Sequence, residues 1–445
     1  MNAPLYNRLC ALAQSDALRM HMPGHKGKTM PAPFPAAIDY TEIPPTGNLY
    51  TGEGPIAQAE ELAAQTWGAD HAFFLTGGST QGVMAGLALC AAPGEKILLD
   101  RNAHKSFFSA VALLDLDPVY LRAPDAALVA EALRADPEIR VVCVTSPTYY
   151  GVIYDLAAIA GICGQYGVRL LVDEAHGAHF PFVGCGPCAV GLGADVCVCS
   201  AHKTLPALGS SALLFTGAAF SAAAVREKTA LFGTSSPSYP IMASIDWARA
   251  WLKEAGGKEN YHRSADAAAT LRREINARGV FHALSGEDGL TLDPTRLTVM
   301  TACAGLDGRQ AGTLLEERYH IWPEMDNRDC VVFILTCCDT EEDLRRLADA
   351  LRALEANAPG VPLAAVAAPP EPEICCSVRR AVFAHHRFVP LRAAEDCVSA
   401  ACIAPYPPGV PVVAPGERIS RAILTYLAET GYDCDAPVSV IAEGV

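Results

Sequence analysis

The sequence predicts an α/β fold: a large domain on a mostly parallel seven-stranded sheet, a smaller α/β domain, and a small C-terminal domain. Three observations predict it. Short apolar runs of strand length alternate with helix-length segments from residue 55 onward, as in sheets covered on both faces. Around residue 240 that rhythm ends and a shorter α/β alternation follows. A stretch rich in Ala and Pro, residues 356–372, then sets off a last segment.

The elements follow in order. Residues 1–54 are rich in Pro, Gly and polar residues and form an N-terminal arm. The arm has a short helix near 5–17 and extended chain over 21–28 and 41–51, and is expected to pack on a neighbouring subunit. Residues 55–255 form the large domain. Its helix at 56–68 leads to a strand at 72–75, a Gly77-Gly78-Ser79-Thr80 turn and a helix at 81–91. Further strands are expected at 96–99, 119–121, 141–145, 170–173, 196–200 and 212–215, with a long helix at 241–255. Residues 256–356 form the small domain, with helices at 264–277, 308–318 and 341–354 and strands at 296–301 and 331–335. A linker, 357–372, precedes the C-terminal unit, 373–445.

Composition narrows the function classes. Of 445 residues, 51% are hydrophobic, enough for sizeable cores, and the formal net charge is -15. That charge argues against a nucleic-acid partner, which needs a basic face, and suits a cationic small substrate. No apolar run reaches the length of a membrane span, and Met1 to Met22 lacks a basic start followed by an apolar block. The expectation is a cytoplasmic protein whose 17 cysteines are mostly reduced thiols.

Ligands of open α/β sheets bind at the carboxyl ends of the strands. Five such ends are polar and reactive here: Gly77–Thr80, Asp100–Ser106 with His104, Ser146–Gly151, Asp173–His179, and Ser200–Thr204 with Lys203. Gly78, Ser79 and Thr80, opening a helix, offer backbone N–H groups and hydroxyls to a phosphate. A lysine can form a Schiff base with an aldehyde. A carboxylate can keep a pyridine nitrogen charged, and a histidine can stack on a flat ring. Together these describe pyridoxal 5'-phosphate.

The Asp173–His179 and Ser200-Ala201-His202-Lys203 segments resemble those of the ornithine/lysine/arginine decarboxylases, a family with the aspartate-aminotransferase fold. The resemblance runs along nearly the whole chain. His21–Gly27 is similar to the family's N-terminal PGHKG signature. Thr41–Leu49 is similar to the loop after it, Thr234–Tyr239 to a segment that reaches a partner subunit's cofactor, and Tyr406–Pro411 with Pro415–Glu417 to the C-terminal domain. The length resembles the family's short form, without an extra response-regulator-like domain. This implies that Lys203 carries the cofactor, Asp173 pairs with its ring nitrogen, and His104 and Ala175 cover its two faces. Ser79, Thr80, Ser200 and His202 would hold the phosphate, with Ser235 or Ser236 reaching it from a neighbouring subunit. His176 would sit near the ring hydroxyl, and Lys203 or His202 would return the proton. The reaction implied is decarboxylation of lysine, ornithine or arginine by a homodimer or larger homo-oligomer in polyamine biosynthesis. Glu42, Glu53 and Glu417 are candidates for reading the substrate side chain.

Other readings stand beside this one. The fold hosts transamination and lyase chemistry, and a dead enzyme could serve as a binding protein. His104 could cap a helix and Asp173 likewise. His176 and His179 could bind a metal. Cys185-Gly186-Pro187-Cys188 could be a redox pair or, with Cys197 and Cys199, a zinc site, although no long helix follows it and no metal is expected. The Cys337-Cys338 and Cys375-Cys376 pairs read as small apolar residues.

Overall fold

A computed structural model describes residues 16–20, 26, 40–254, 256–365, 367–404 and 409–442. The helix expected near 5–17, most of the His21–Gly27 motif and Tyr406–Pro408 lie outside these residues.

After β1 (Leu18–Met20), the chain forms β2 (His71–Leu75), β3 (Lys96–Asp100), β4 (Asp117–Leu121), β5 (Ile139–Thr145), β6 (Arg169–Asp173), β7 (Val196–Cys199) and β8 (Ala212–Thr216). Strands β2 to β8 make one sheet in the order β2-β8-β7-β6-β5-β3-β4. All its pairings are parallel except the two made by β8. Its strands are apolar almost throughout because helices cover both faces. Alternation sorts β7 cleanly. Val196 and Val198 pack with Phe107 and Leu171, whereas Cys197 and Cys199 enter the opposite layer with Trp67 and Phe182.

Local chemistry sets the helix bounds. Pro55 opens the helix Gly54–Trp67 and left-handed Gly68 closes it. Asp155 accepts from the Ala158 N–H at the start of Leu156–Tyr166. One boundary differs from expectation. The helix expected from residue 81 begins at Gly78, so Ser79 and Thr80 lie in its first turn. Gly78 takes φ +70 and donates to the Ser210 carbonyl, which turns the chain straight into the helix.

The smaller domain is antiparallel at its centre. Strands β9 (His282–Ala283), β10 (Arg296–Met300), β12 (Met325–Asp326) and β13 (Cys330–Ile334) pair in the order β12-β13-β10-β9. β1 joins β11 (Ile321–Pro323) in parallel, so residues ahead of the large domain complete the small one. Spacing of single short strands carries no pairing direction, which is why the sequence pattern did not show this. The C-terminal segment has its own core of Leu391, Ile403, Val413, Ile419, Ile423 and Leu427, with β14 (His386–Pro390) and β15 (Pro437–Ile441) antiparallel. Val378 and Ala414 plug into the large domain's core. Buried Arg101 bonds Glu417 at 2.8 Å and the Val412 carbonyl at 3.1 Å across the same junction. Truncating either partner of such a buried pair typically costs about 3–5 kcal/mol. Glu417 is thus engaged in docking a domain, while Glu42 is half-buried and Glu53 lies exposed. No described helix is long and apolar enough to cross a membrane.

Candidate active site

The carboxyl ends of β3, β5, β6 and β7 open into a cavity of about 680 Å³, closed on its far side by Val410–Val412 and Tyr426 of the C-terminal segment. Ser79, His104, Asp173, Ala175, His176 and Lys203 all line it. The one-turn helix Ala201–Thr204 carries Lys203, directly after β7. Asp173 ends β6, one strand over. Asp173 is buried and Lys203 half-buried, and removal from water disfavours charge on each. It lowers the Lys203 amine from its usual value, with Asp173 opposing. It raises the Asp173 carboxyl, with Lys203 opposing.

The hydrogen bonds around His176 fix a proton inventory. Arg296 Nη2 lies 3.1 Å from His176 Nδ1, and Lys203 Nζ lies 3.1 Å from His176 Nε2. A guanidinium only donates, so Nδ1 must accept and carries no proton. The neutral imidazole then holds its proton on Nε2 and donates it to Lys203. That leaves the lysine amine as the acceptor, hence unprotonated. Burial acts in the same direction, favouring the neutral imidazole and holding His176 well below the ordinary histidine value. Tyr149 sets its ring against His176 at 4.6 Å and donates its hydroxyl to Glu324 at 2.6 Å.

Neighbouring groups are similarly tuned. His104 is both a cavity residue and a cap: its Nδ1 accepts from the Ser106 N–H at 3.2 Å. Burial first, then Lys203 and Lys105, bring its pKa down to about 4. Asp100 rises to about 6, chiefly through burial. His202 Nδ1 donates to the Ser211 carbonyl at 2.9 Å, turning that edge away from Lys203. Ser200 and Ser211 are fully buried, and neither hydroxyl oxygen has a hydrogen-bond partner among the described residues. Ser235 and Ser236 are exposed and do not line their own chain's cavity, and Thr80 is exposed beside it.

His176 and His179 are not a ligand pair. His179 turns to Asp293 at 3.0 Å and Thr295 at 2.9 Å, stacked on Tyr261, while His176 faces the cavity. The sequence reading passed over Arg296, Tyr149 and Glu324 as site residues. Tyr149 stood in a strand-end segment already singled out. Arg296 and Glu324 come from the small domain, where nothing local in the chain marks them. Lys26, from the PGHKG segment, is a second lysine of this region and is buried. It donates to the Ile334 carbonyl at 2.6 Å and shares the fields of Glu324 and Arg296 with Lys203.

A mostly parallel seven-stranded sheet with a lysine and an aspartate facing one cavity from the ends of adjacent strands defines a fold-type-I, aspartate-aminotransferase-like protein. Solved structures agree on the fold. The Francisella novicida lysine decarboxylase superposes with a TM-score of 0.74 at 21% identity, over 89% of this chain and 73% of that one. Lysine decarboxylase A from Pseudomonas aeruginosa gives 0.75 at 20%, over 91% and 74%. Residues 3–286 match the family described as Orn/Lys/Arg decarboxylase, major domain, and residues 369–432 its C-terminal domain. An arginine decarboxylase of Halalkalibacterium halodurans is 32% identical over 96% of this chain and 93% of its own length. The chain belongs to the Orn/Lys/Arg decarboxylase family.

Proposed function

We propose that this protein is a pyridoxal-phosphate-dependent decarboxylase that acts on arginine. The observation that carries the chemistry is the run of 3.1 Å contacts from Arg296 through His176 to Lys203, in one cavity with buried Asp173. Arginine is preferred over lysine and ornithine because the full-length sequence relatives from Halalkalibacterium halodurans and Bacillus subtilis are named arginine decarboxylases. The Escherichia coli constitutive lysine decarboxylase matches over only 54% of this chain.

The residues present fit the cofactor. Two buried hydroxyls, on Ser200 and Ser211 at the end of β7 and the start of β8, have no hydrogen-bond partner among the described residues. Together with the helix start at Gly78–Ser79 and with His202 they suit a phosphate. Ser235 and Ser236 are offered to a partner's site in a cytoplasmic homodimer, and Thr80 is a further phosphate contact. Lys203 is the covalent anchor, and Asp173, buried without a full counter-charge, suits a protonated ring nitrogen. His104 and Ala175 cover the two ring faces.

When bound, the cofactor supplies an electron sink for the pair released as the α-carboxylate leaves as carbon dioxide. The chain's own residues do the rest. His176 donates through Nε2 and keeps Lys203 nucleophilic. Tyr149 packs its ring against His176 beside the same point. Lys203, with His176 behind it, is better placed than His202 to return a proton to the α-carbon. The division into residues 55–255, 256–356 and 373–445 belongs to this reading, with the cavity between the three.

The test is a panel of arginine, lysine and ornithine given to the purified holoenzyme. Release of carbon dioxide with agmatine, fastest from arginine, is expected. Preference for lysine or ornithine overturns the substrate assignment, and release of a keto acid overturns the reaction.

A further inference from the structure

Directly behind Asp173 lies a second polar cluster that the proposed chemistry does not use. Glu174 Oε2 sits 2.9 Å from Cys197 Sγ and 3.5 Å from Cys199 Sγ, and the two sulfurs are 3.9 Å apart. All three residues are fully buried, and their ligand atoms lie within 4.8 Å of one another. Cys188, also buried, brings its thiol against Cys197 from the loop after Gly184. Cys185 is only partly buried and stands outside this group. The sequence pattern grouped Cys185 with the other three thiols. The fold instead puts a carboxylate in its place.

We propose that Glu174, Cys188, Cys197 and Cys199 form a binding site for a thiophilic divalent cation, zinc being the first choice. The spacing supports this. Zn–S bonds of about 2.3 Å and Zn–O bonds of about 2.0 Å give tetrahedral edges of roughly 3.8 Å between sulfurs and roughly 3.5 Å between sulfur and oxygen. The Cys197–Cys199 and Glu174–Cys199 separations already have those values. The Glu174–Cys197 edge has to open by roughly half an ångström, and Cys188 has to turn its side chain inward, to complete the four. The supporting shell is present: the Ala189 N–H donates to Glu174 Oε2 at 3.2 Å and orients it. A Cys-x-Cys pair on a rigid central strand fixes two ligands without loop entropy. The Cys188 loop supplies the third thiol. Binding replaces three S–H bonds by three S–metal bonds and releases those protons to solvent. Thiolate donors select zinc over magnesium or calcium.

The experiment uses the purified holoenzyme from zinc-supplemented growth, with metal content measured by mass spectrometry beside a Cys197→Ala/Cys199→Ala variant. The expected result is about one zinc per parent chain and none above background in the variant. Retention of the cofactor's visible absorbance by the variant shows that it has folded. If the variant fails to fold, cobalt(II) added to the metal-stripped parent gives the answer: a thiolate-to-cobalt charge-transfer band is expected. Parent protein without stoichiometric zinc and without that band, or zinc that persists when the thiols are gone, overturns the site and leaves the sulfurs as apolar packing.

Discussion

Asp173 and Glu174 are adjacent in the chain and equally buried, yet they live in different chemistry. Asp173 ends β6 facing the cavity, where Lys203 and the open space beyond can supply positive charge. Glu174 points the other way, into a layer of thiols, Trp67 and Phe182, with no basic side chain among the described residues bonded to it. Identical desolvation therefore asks for different partners. One carboxylate is suited to a cationic ring and the other to a metal or a proton. A one-residue shift decides which, because successive residues near a strand end face opposite sides of the sheet.

The contrast can be broken by mutation. The largest effect is expected from Lys203→Ala, with carbon dioxide release lowered on the order of 10³-fold or more, since nucleophile and proton carrier vanish together. Next, Asp173→Asn should lower kcat/KM on the order of 10²-fold, whereas Glu174→Gln should lower it less than about tenfold. Equal losses would erase the distinction between the two faces. Arg296→Gln should act through His176. It removes the donor at Nδ1 and a nearby cation that, with burial, lowers the Lys203 pKa. The amine's pKa then rises, so the pH midpoint for capture of pyridoxal phosphate by the apoprotein moves upward. Capture at neutral pH slows about tenfold per unit of that movement. An unmoved midpoint would refute the tautomer argument.

The smallest effect concerns His104. Its pKa is about 4 when folded, against the ordinary 6.5. Between those values the unfolded chain binds a proton that the folded chain does not, so stability present above pH 6.5 is lost as the pH falls toward 4. His104→Gln should flatten the denaturation midpoint across that window and leave it unchanged at pH 8.

Much of this was legible in the chain. The five polar strand ends could be read because a parallel sheet places every carboxyl end on one edge, so linear order becomes spatial convergence. Lys203, Asp173, His104, His176 and Ser79 share one cavity for that reason. The family resemblance added the C-terminal wall, which no local pattern ties to the sheet. Arg296 and Glu324 were illegible because their placement depends on how the small domain docks. The pairing of β1 with β11 was hidden for the same reason, being a contact between segments 300 residues apart. The spacing of Cys185 and Cys188 carries no information on their burial: two residues close in sequence part company because the loop buries only one of them.

The central claim is that Lys203, not any other amine, anchors the cofactor. Reduction of the holoenzyme with borohydride, followed by digestion and peptide mass spectrometry, tests it most directly. A pyridoxyl group on the peptide containing Ser200-Ala201-His202-Lys203 is the result the structure predicts. A pyridoxyl group on Lys26, the buried lysine that shares the fields of Arg296 and Glu324, would contradict it.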